Sequence, residues 1–123
     1  MKVRAIRGAT TSDNTPESIR ETVTELIFAM IKGNNVPRED ICFVNFSTTK
    51  DIDVDYPAKY ARMECGFESV PMTCFQEMDV QGSLRKCIRV MMVVNADKEQ
   101  HEIRHQYLRG TDILRPDLLG KTK

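Results

Sequence analysis

Net charge is absent from this sequence: 18 lysines and arginines are matched by 18 aspartates and glutamates. Proteins that bind polyanions gather positive charge on one face or along one helix, so nothing here points to nucleic acid or an anionic membrane. No apolar run approaches the ~20 residues that cross a bilayer, and the first residues lack the apolar segment of a secretory signal. The four cysteines, Cys42, Cys65, Cys74 and Cys87, include no CxxC pair. That spacing argues against a structural zinc site and for reduced thiols in a cytoplasmic protein. Internal repeats and low-complexity segments are missing as well. A chain of 123 residues without them is expected to form one domain with its own core.

Two patterns resemble metal sites and fail on spacing. Asp51, Asp53 and Asp55 alternate as in an EF-hand loop, which would need Gly at Tyr56 and a bidentate Glu at Arg62. HEIRH, from His101 to His105, spells the zinc-protease motif HExxH. It places the cation Arg104 inside the metal-binding segment, however, and no third His or Glu follows His105. The extended metzincin form would need Gly at Leu108 and His at Thr111. The first pattern reads as an acidic loop and the second as a short exposed helix.

What is present is a set of strands with one strong helix. Lys2 to Thr11 reads as a strand with Val3, Ala5 and Arg7 on one face and Arg4, Ile6 and Gly8 on the other. Thr15-Pro16-Glu17 is a helix start. Ile19, Val23, Leu26, Ile27 and Met30 follow at helical spacing, and Lys32 and Gly33 suit the last turn and its cap. Ile41 to Ser47 is a second strand. Pro57 opens a shorter helix that Gly66 stops, with Lys59 and Arg62 forming a small cationic face.

The stretch from Val70 to Val94 reads as two strand-like pieces joined by a connection containing Gly82. Its second piece, Cys87 to Val94, is almost wholly apolar and is expected to be buried on both faces. Arg89 interrupts it. A guanidinium cannot be deprotonated, so it must meet an anion or reach water, and Glu77 and Asp79 are internal candidates. Tyr107 and Leu108 begin a further short strand, and Ile113 to Pro116 lead into a polar tail.

This inventory predicts an α+β protein with four or five strands, several buried on both faces, and only one long helix to cover them. Either the sheet curls on itself or other copies of the chain cover it. Oligomerisation through the sheet is the expectation, with the scattered Arg7, Arg62, Arg89 and Arg115 converging between subunits.

Read together, RAIRGATT, YPAKYAR, VPMTCFQEMDV, GSLRKCIRVMM, IRHQYL and LRPDL stand in an order and spacing that identify a family. Almost end to end, the chain closely resembles the monofunctional chorismate mutases of the trimeric α/β-barrel class, which are unrelated in fold to the all-helical chorismate mutases. The resemblance implies a mixed β-sheet packed with helices in a pseudo-α/β-barrel homotrimer, with active sites in clefts between subunits. It implies a single domain over 1–123, conversion of chorismate to prephenate in aromatic amino-acid biosynthesis, and no metal or other cofactor. The tail after Pro116 matches least well, and 117–123 is expected to be mobile.

Carried over residue by residue, the resemblance places Arg7, Arg89 and Tyr107 on the enolpyruvyl carboxylate and ether oxygen, and Cys74 and Glu77 at the ring hydroxyl. Tyr56, Ala58, Lys59 and Arg62 would come from the neighbouring subunit, with Thr73, Leu114 and Arg115 lining the cleft. Tyr56 stands where the family leads one to expect Phe, and Phe75 where it leads one to expect Met; both keep an apolar body.

These residue types suit the chemistry. A small dianion calls for arginines with bidentate donors. An intramolecular pericyclic rearrangement needs no nucleophile or obligatory proton transfer, only restraint and fixed charge. The sequence correspondingly offers no Ser-His pair, metal cluster or Gly-rich phosphate loop. Two other readings use the same arginines: a non-catalytic regulatory module that binds a small anionic metabolite, and a structural oligomer in which Arg89 and Glu77 form a closed, dry pair.

Overall fold

A computed structural model describes residues 1–115 and 117. Strand β1 (Lys2–Thr11) alternates as its sequence requires, with Ile6 buried and Val3 61% exposed. Helix α1 (Pro16–Asn34) lies against the Ile6 side. Thr15 caps its start, its hydroxyl accepting the Ser18 N–H at 3.1 Å. The expected stripe of Ile19, Val23, Leu26, Ile27 and Met30 is fully buried.

The C-terminal cap is not Gly33. The helix runs past it and ends at Asn35, whose φ of 51° is left-handed and whose N–H reaches the carbonyls of Ile31 and Lys32. Asn tolerates this conformation. A Cβ at Gly33 would stand 2.8 Å from Nε2 at the end of the flexible Gln106 side chain.

Strand β2 (Ile41–Thr48) precedes helix α2 (Pro57–Cys65), which Gly66 stops at φ 77° as expected. Strands β3 (Met72–Gln76), β4 (Cys87–Ala96) and β5 (Gln106–Tyr107) complete a five-stranded mixed sheet of order β3-β2-β4-β1-β5. Central β4 is antiparallel to both neighbours, whereas the outer strands β3 and β5 run parallel to β2 and β1. The two strands of the Val70–Val94 stretch are therefore not a hairpin. β2 lies between them.

The expectation that β4 is buried on both faces is wrong for the single chain. Ile88, Val90, Met92 and Val94 are buried with residues of α1 and α2 in one core, but Arg89 and Met91 alternate with them and are exposed. Both helices are spent on one side of the sheet. On the other side Val3, Phe43, Phe75 and Met91 remain exposed in one chain.

The acidic loop is explained by its hydrogen bonds. Asp51 accepts from Thr49 Oγ1 at 2.6 Å and from the Lys86 N–H at 3.1 Å. Asp53 accepts from Asn14 Nδ2 at 2.7 Å, while Asn14 Oδ1 receives the Asp53 and Val54 N–H groups at 2.9 and 3.2 Å. Asp55 accepts from the Tyr60 hydroxyl at 2.7 Å, which holds its carboxyl below the usual range, and also from the Tyr56 N–H and Lys59. Each aspartate ties the loop to a different neighbour and so fixes the entry into α2.

The HEIRH segment is not the expected helix. A single helical turn covers Gln100–Glu102, closed by reciprocal bonds between Glu99 and Glu102. His105 lies beyond it, and its Nδ1 accepts the Arg7 N–H at 2.9 Å. Three residues on, the Leu108 N–H donates to the Ala9 carbonyl at 2.9 Å. In the tail at 117–123 only Asp117 is described, so the expectation of mobility otherwise falls outside the described residues.

Two predictions follow from this packing. A Cβ at Gly8 would overlap Met30 Sδ and stand 3.2 Å from Leu26 Cδ1. Gly8→Ala should cost about 1–3 kcal/mol in chemical denaturation through overpacking between β1 and α1. The second concerns His105, whose pKa is lowered by burial and then by Arg7 and Arg115. Below about 6.5 the unfolded chain binds a proton that the folded chain resists. This contribution to stability is complete above that pH and is lost as pH falls through the lowered folded value. Melting temperature should therefore drop on acidification from pH ~7 to ~5, and His105→Asn should remove that component.

Candidate active site

Strand register lines up one residue from every strand across the face that α1 and α2 leave uncovered. Phe75 of β3 pairs with Ser47 of β2, Ser47 with Arg89 of β4, Arg89 with Ala9 of β1, and Ala9 with Tyr107 of β5. Side chains in such a row share a face. Ala9 is the smallest of the five, and its lack of bulk leaves space between Arg89 and Tyr107. Arg7 stands two residues along β1, opposite Met91. Together these residues line a cavity of about 280 Å³.

Arg89 is held at one edge. Its Nε lies 3.0 Å from Glu77 Oε2, and the Ser47 hydroxyl donates to the same oxygen at 3.0 Å. Glu77 is placed by its own N–H, which donates to the Thr48 carbonyl at 2.8 Å just past the end of β3. Glu77 Oε1 accepts no hydrogen bond among the described residues and is available to a hydroxyl. In the single chain the Arg89 side chain remains 44% exposed and borders the cavity, so its contact with Glu77 is neither closed nor dry there.

At the other edge the field is positive. Burial pushes the Tyr107 phenol up, while Arg7, Arg115 and Arg89 pull it down. The hydroxyl keeps its proton at neutral pH and can donate. Arg115 donates from Nε and Nη2 to Asp117 at 3.0 and 2.9 Å. Leu114 ends a short helical turn just before it. Cys87, at the foot of β4, is no nucleophile, because burial pushes its thiol to about 11.

The other expected site residues gather elsewhere. Tyr56, Ala58, Lys59, Arg62, Thr73 and Cys74 line a separate cavity of about 380 Å³ between α2 and β3. Lys59 is tethered to Asp55 at 3.1 Å, and Tyr56 is 70% exposed. Cys74 pairs with Phe46, a core residue, so it belongs to the helix-bearing side and not with Glu77. Thr73 Oγ1 donates to Asn45 Oδ1. Within one chain the site residues thus fall into two groups, Arg7, Glu77, Arg89 and Tyr107 in the first and the α2 cluster in the second.

Ser47, which lines the Arg89 cavity, escaped the sequence reading. Ser47 had a weak signal, a polar residue alternating with core Phe46, but its facing Arg89 depends on a pairing between strands far apart in sequence.

A positive cavity that orients guanidiniums and leaves one carboxylate oxygen open suits a small dianion bearing a hydroxyl. The comparisons agree. The chain is 46% identical over 119 residues to the chorismate mutase AroH of Bacillus subtilis (strain 168), spanning 96% of the chain and 94% of that relative. It is 41% identical over 118 residues to the chorismate mutase AroH of Thermus thermophilus, spanning 94% and 96%. Among solved structures, a chorismate mutase from Clostridium thermocellum superposes with a TM-score of 0.85 at 45% identity, covering 89% of this chain and 97% of that one. The family described as chorismate mutase type I matches residues 3–118, and the chain belongs to that family.

Proposed function

We propose that the cavity at Arg7, Arg89 and Tyr107 is one half of an active site that rearranges chorismate to prephenate, a step of aromatic amino-acid biosynthesis. The other half is the α2 cluster of a neighbouring copy. The observation that carries this reading is Arg89: a permanent cation on the central strand, aimed by Glu77 into an open cavity. The open sheet face supports assembly, because exposed Val3, Phe43, Phe75 and Met91 surround the site and call for a cover. A homotrimer, as the resemblance implies, supplies that cover and brings Tyr56, Lys59 and Arg62 to each cavity. The single domain extends over 1–123, and the four free thiols suit the cytoplasm.

The reaction is intramolecular. Its carbon–oxygen ether bond breaks as a carbon–carbon bond forms, and the flexible enolpyruvyl arm must first fold over the ring. Arg7 and Tyr107 hold the arm's carboxylate, which restrains the substrate in its reactive conformation. Negative charge then grows on the ether oxygen. Arg89, oriented beforehand, meets that charge without reorganisation. Glu77 accepts the hydrogen bond of the ring hydroxyl through Oε1 and balances the field. Lys59 and Arg62 engage the second carboxylate, while Ala58, Thr73, Cys74, Leu114 and Arg115 shape the cleft. No observation favours a non-catalytic anion-binding module over this reading.

Replacing Arg89 by citrulline keeps its shape and removes its charge. Turnover should fall by roughly 10²–10³ or more, about 3–4 kcal/mol, with chorismate affinity changed far less. Arg89→Lys should rescue poorly, since a compact ammonium lacks the planar fork. Near-normal turnover by the citrulline chain would make Arg89 a structural cation. A mixing experiment tests the division of the site. Arg62→Ala and Arg89→Ala chains should each be inactive alone and regain partial activity after subunit exchange, because some interfaces then receive both intact halves. No recovery after proven exchange would remove Arg62 and Arg89 from a shared site.

A further inference from the structure

The second histidine of HEIRH has no part in the mechanism above, yet it touches a residue that does. β5 pairs with β1 only at Gly8 and Ala9. Arg7, the next residue along β1, directs its N–H to His105 Nδ1 at 2.9 Å instead of to a strand carbonyl. His105 lies two residues before Tyr107, and Tyr107 pairs with Ala9, two residues after Arg7. A hydrogen bond and a strand pairing thereby close a small loop that contains both Arg7 and Tyr107.

We propose that His105 is a positioning residue that fixes Arg7 and Tyr107 relative to each other at the rim of the Arg89 cavity; this rests on the reading of that cavity as an active site. An imidazole that accepts at Nδ1 carries its proton on Nε2 and is neutral. Burial and the nearby Arg7 and Arg115 guanidiniums favour that form. The bonded N–H is partly buried, so a side chain without an acceptor orphans it. The strand edge then shifts or admits water, and both side chains move with it. A misplacement of about 1 Å in substrate-positioning groups can cost on the order of 10²-fold in rate.

The test compares three substitutions with wild type and with an Arg89→Leu control, reading kcat, KM and melting temperature. His105→Leu keeps bulk but has no acceptor. His105→Asn keeps an acceptor close to the position of Nδ1, and His105→Gln carries it one methylene further. His105→Leu should lose roughly 10- to 100-fold in kcat/KM at temperatures where it is fully folded. His105→Asn should stay within about threefold of wild type, with His105→Gln impaired. If His105→Leu lowers only the melting temperature and leaves kcat and KM unchanged while Arg89→Leu is inactive, the positioning role is overturned and the active-site reading stands. An active Arg89→Leu chain would overturn both. Should His105→Leu not fold, the other pair decides: Asn active with Gln impaired supports the role, and equal activities refute it.

Discussion

The contact between Arg89 Nε and Glu77 Oε2 spans 3.0 Å from the central strand to the residue that follows β3. With Arg89 nearly half exposed in the single chain, such a pair contributes little to stability. Its consequence is orientation. Ser47 donates to the same carboxylate oxygen, so the carboxylate is held on one side by a hydroxyl and on the other by the guanidinium. A cation whose direction is set before substrate arrives can stabilise charge that appears only in the transition state. Covering the cavity would strengthen this effect by removing water, because fixed charge acts further in a low dielectric. It would also make a broken pair far more damaging than an exposed one.

The sheet supports the proposal that another copy covers the site. α1 and α2 pack on the side of Ile88, Val90, Met92 and Val94, and the cross-strand row from Phe75 to Tyr107 lies on the side they do not reach. That side mixes cations with exposed apolar side chains, a composition suited to an interface that also holds a ligand. Arg7, Arg89 and Tyr107 line one cavity, whereas Tyr56, Lys59, Arg62, Thr73 and Cys74 line another, between α2 and β3. Two halves in one chain that do not face each other make sense when copies contribute one half each.

Local chemistry was legible in the sequence. Thr15-Pro16, the α1 stripe, Pro57, Gly66 and the alternation of β1 all act over a few residues, and each appears where it was read. That Arg89 needs an anion, with Glu77 and Asp79 as candidates, was legible too, but the choice between them was not: Glu77 takes Arg89, and Asp79 pairs with Lys50 and Arg85. Neighbour relations were not. Nothing in Val70 to Val94 says that β2 enters between its two strands, so neither Ser47 nor the exposure of Arg89 and Met91 was foreseen. Gly33 misled because asparagine can also take the left-handed cap conformation, and here the helix runs on to Asn35. HEIRH misled as a unit: its two histidines part company, one in a helical turn and one on the edge of β1.

The account's central claim is that no single chain holds a complete site. Specific activity followed through serial dilution, with mass measured in parallel by sedimentation velocity, tests it most directly. The account predicts that activity falls in step with loss of a species three times the 14.1 kDa of one chain, and returns when the chains are concentrated again. Full specific activity in a species of 14.1 kDa would contradict it.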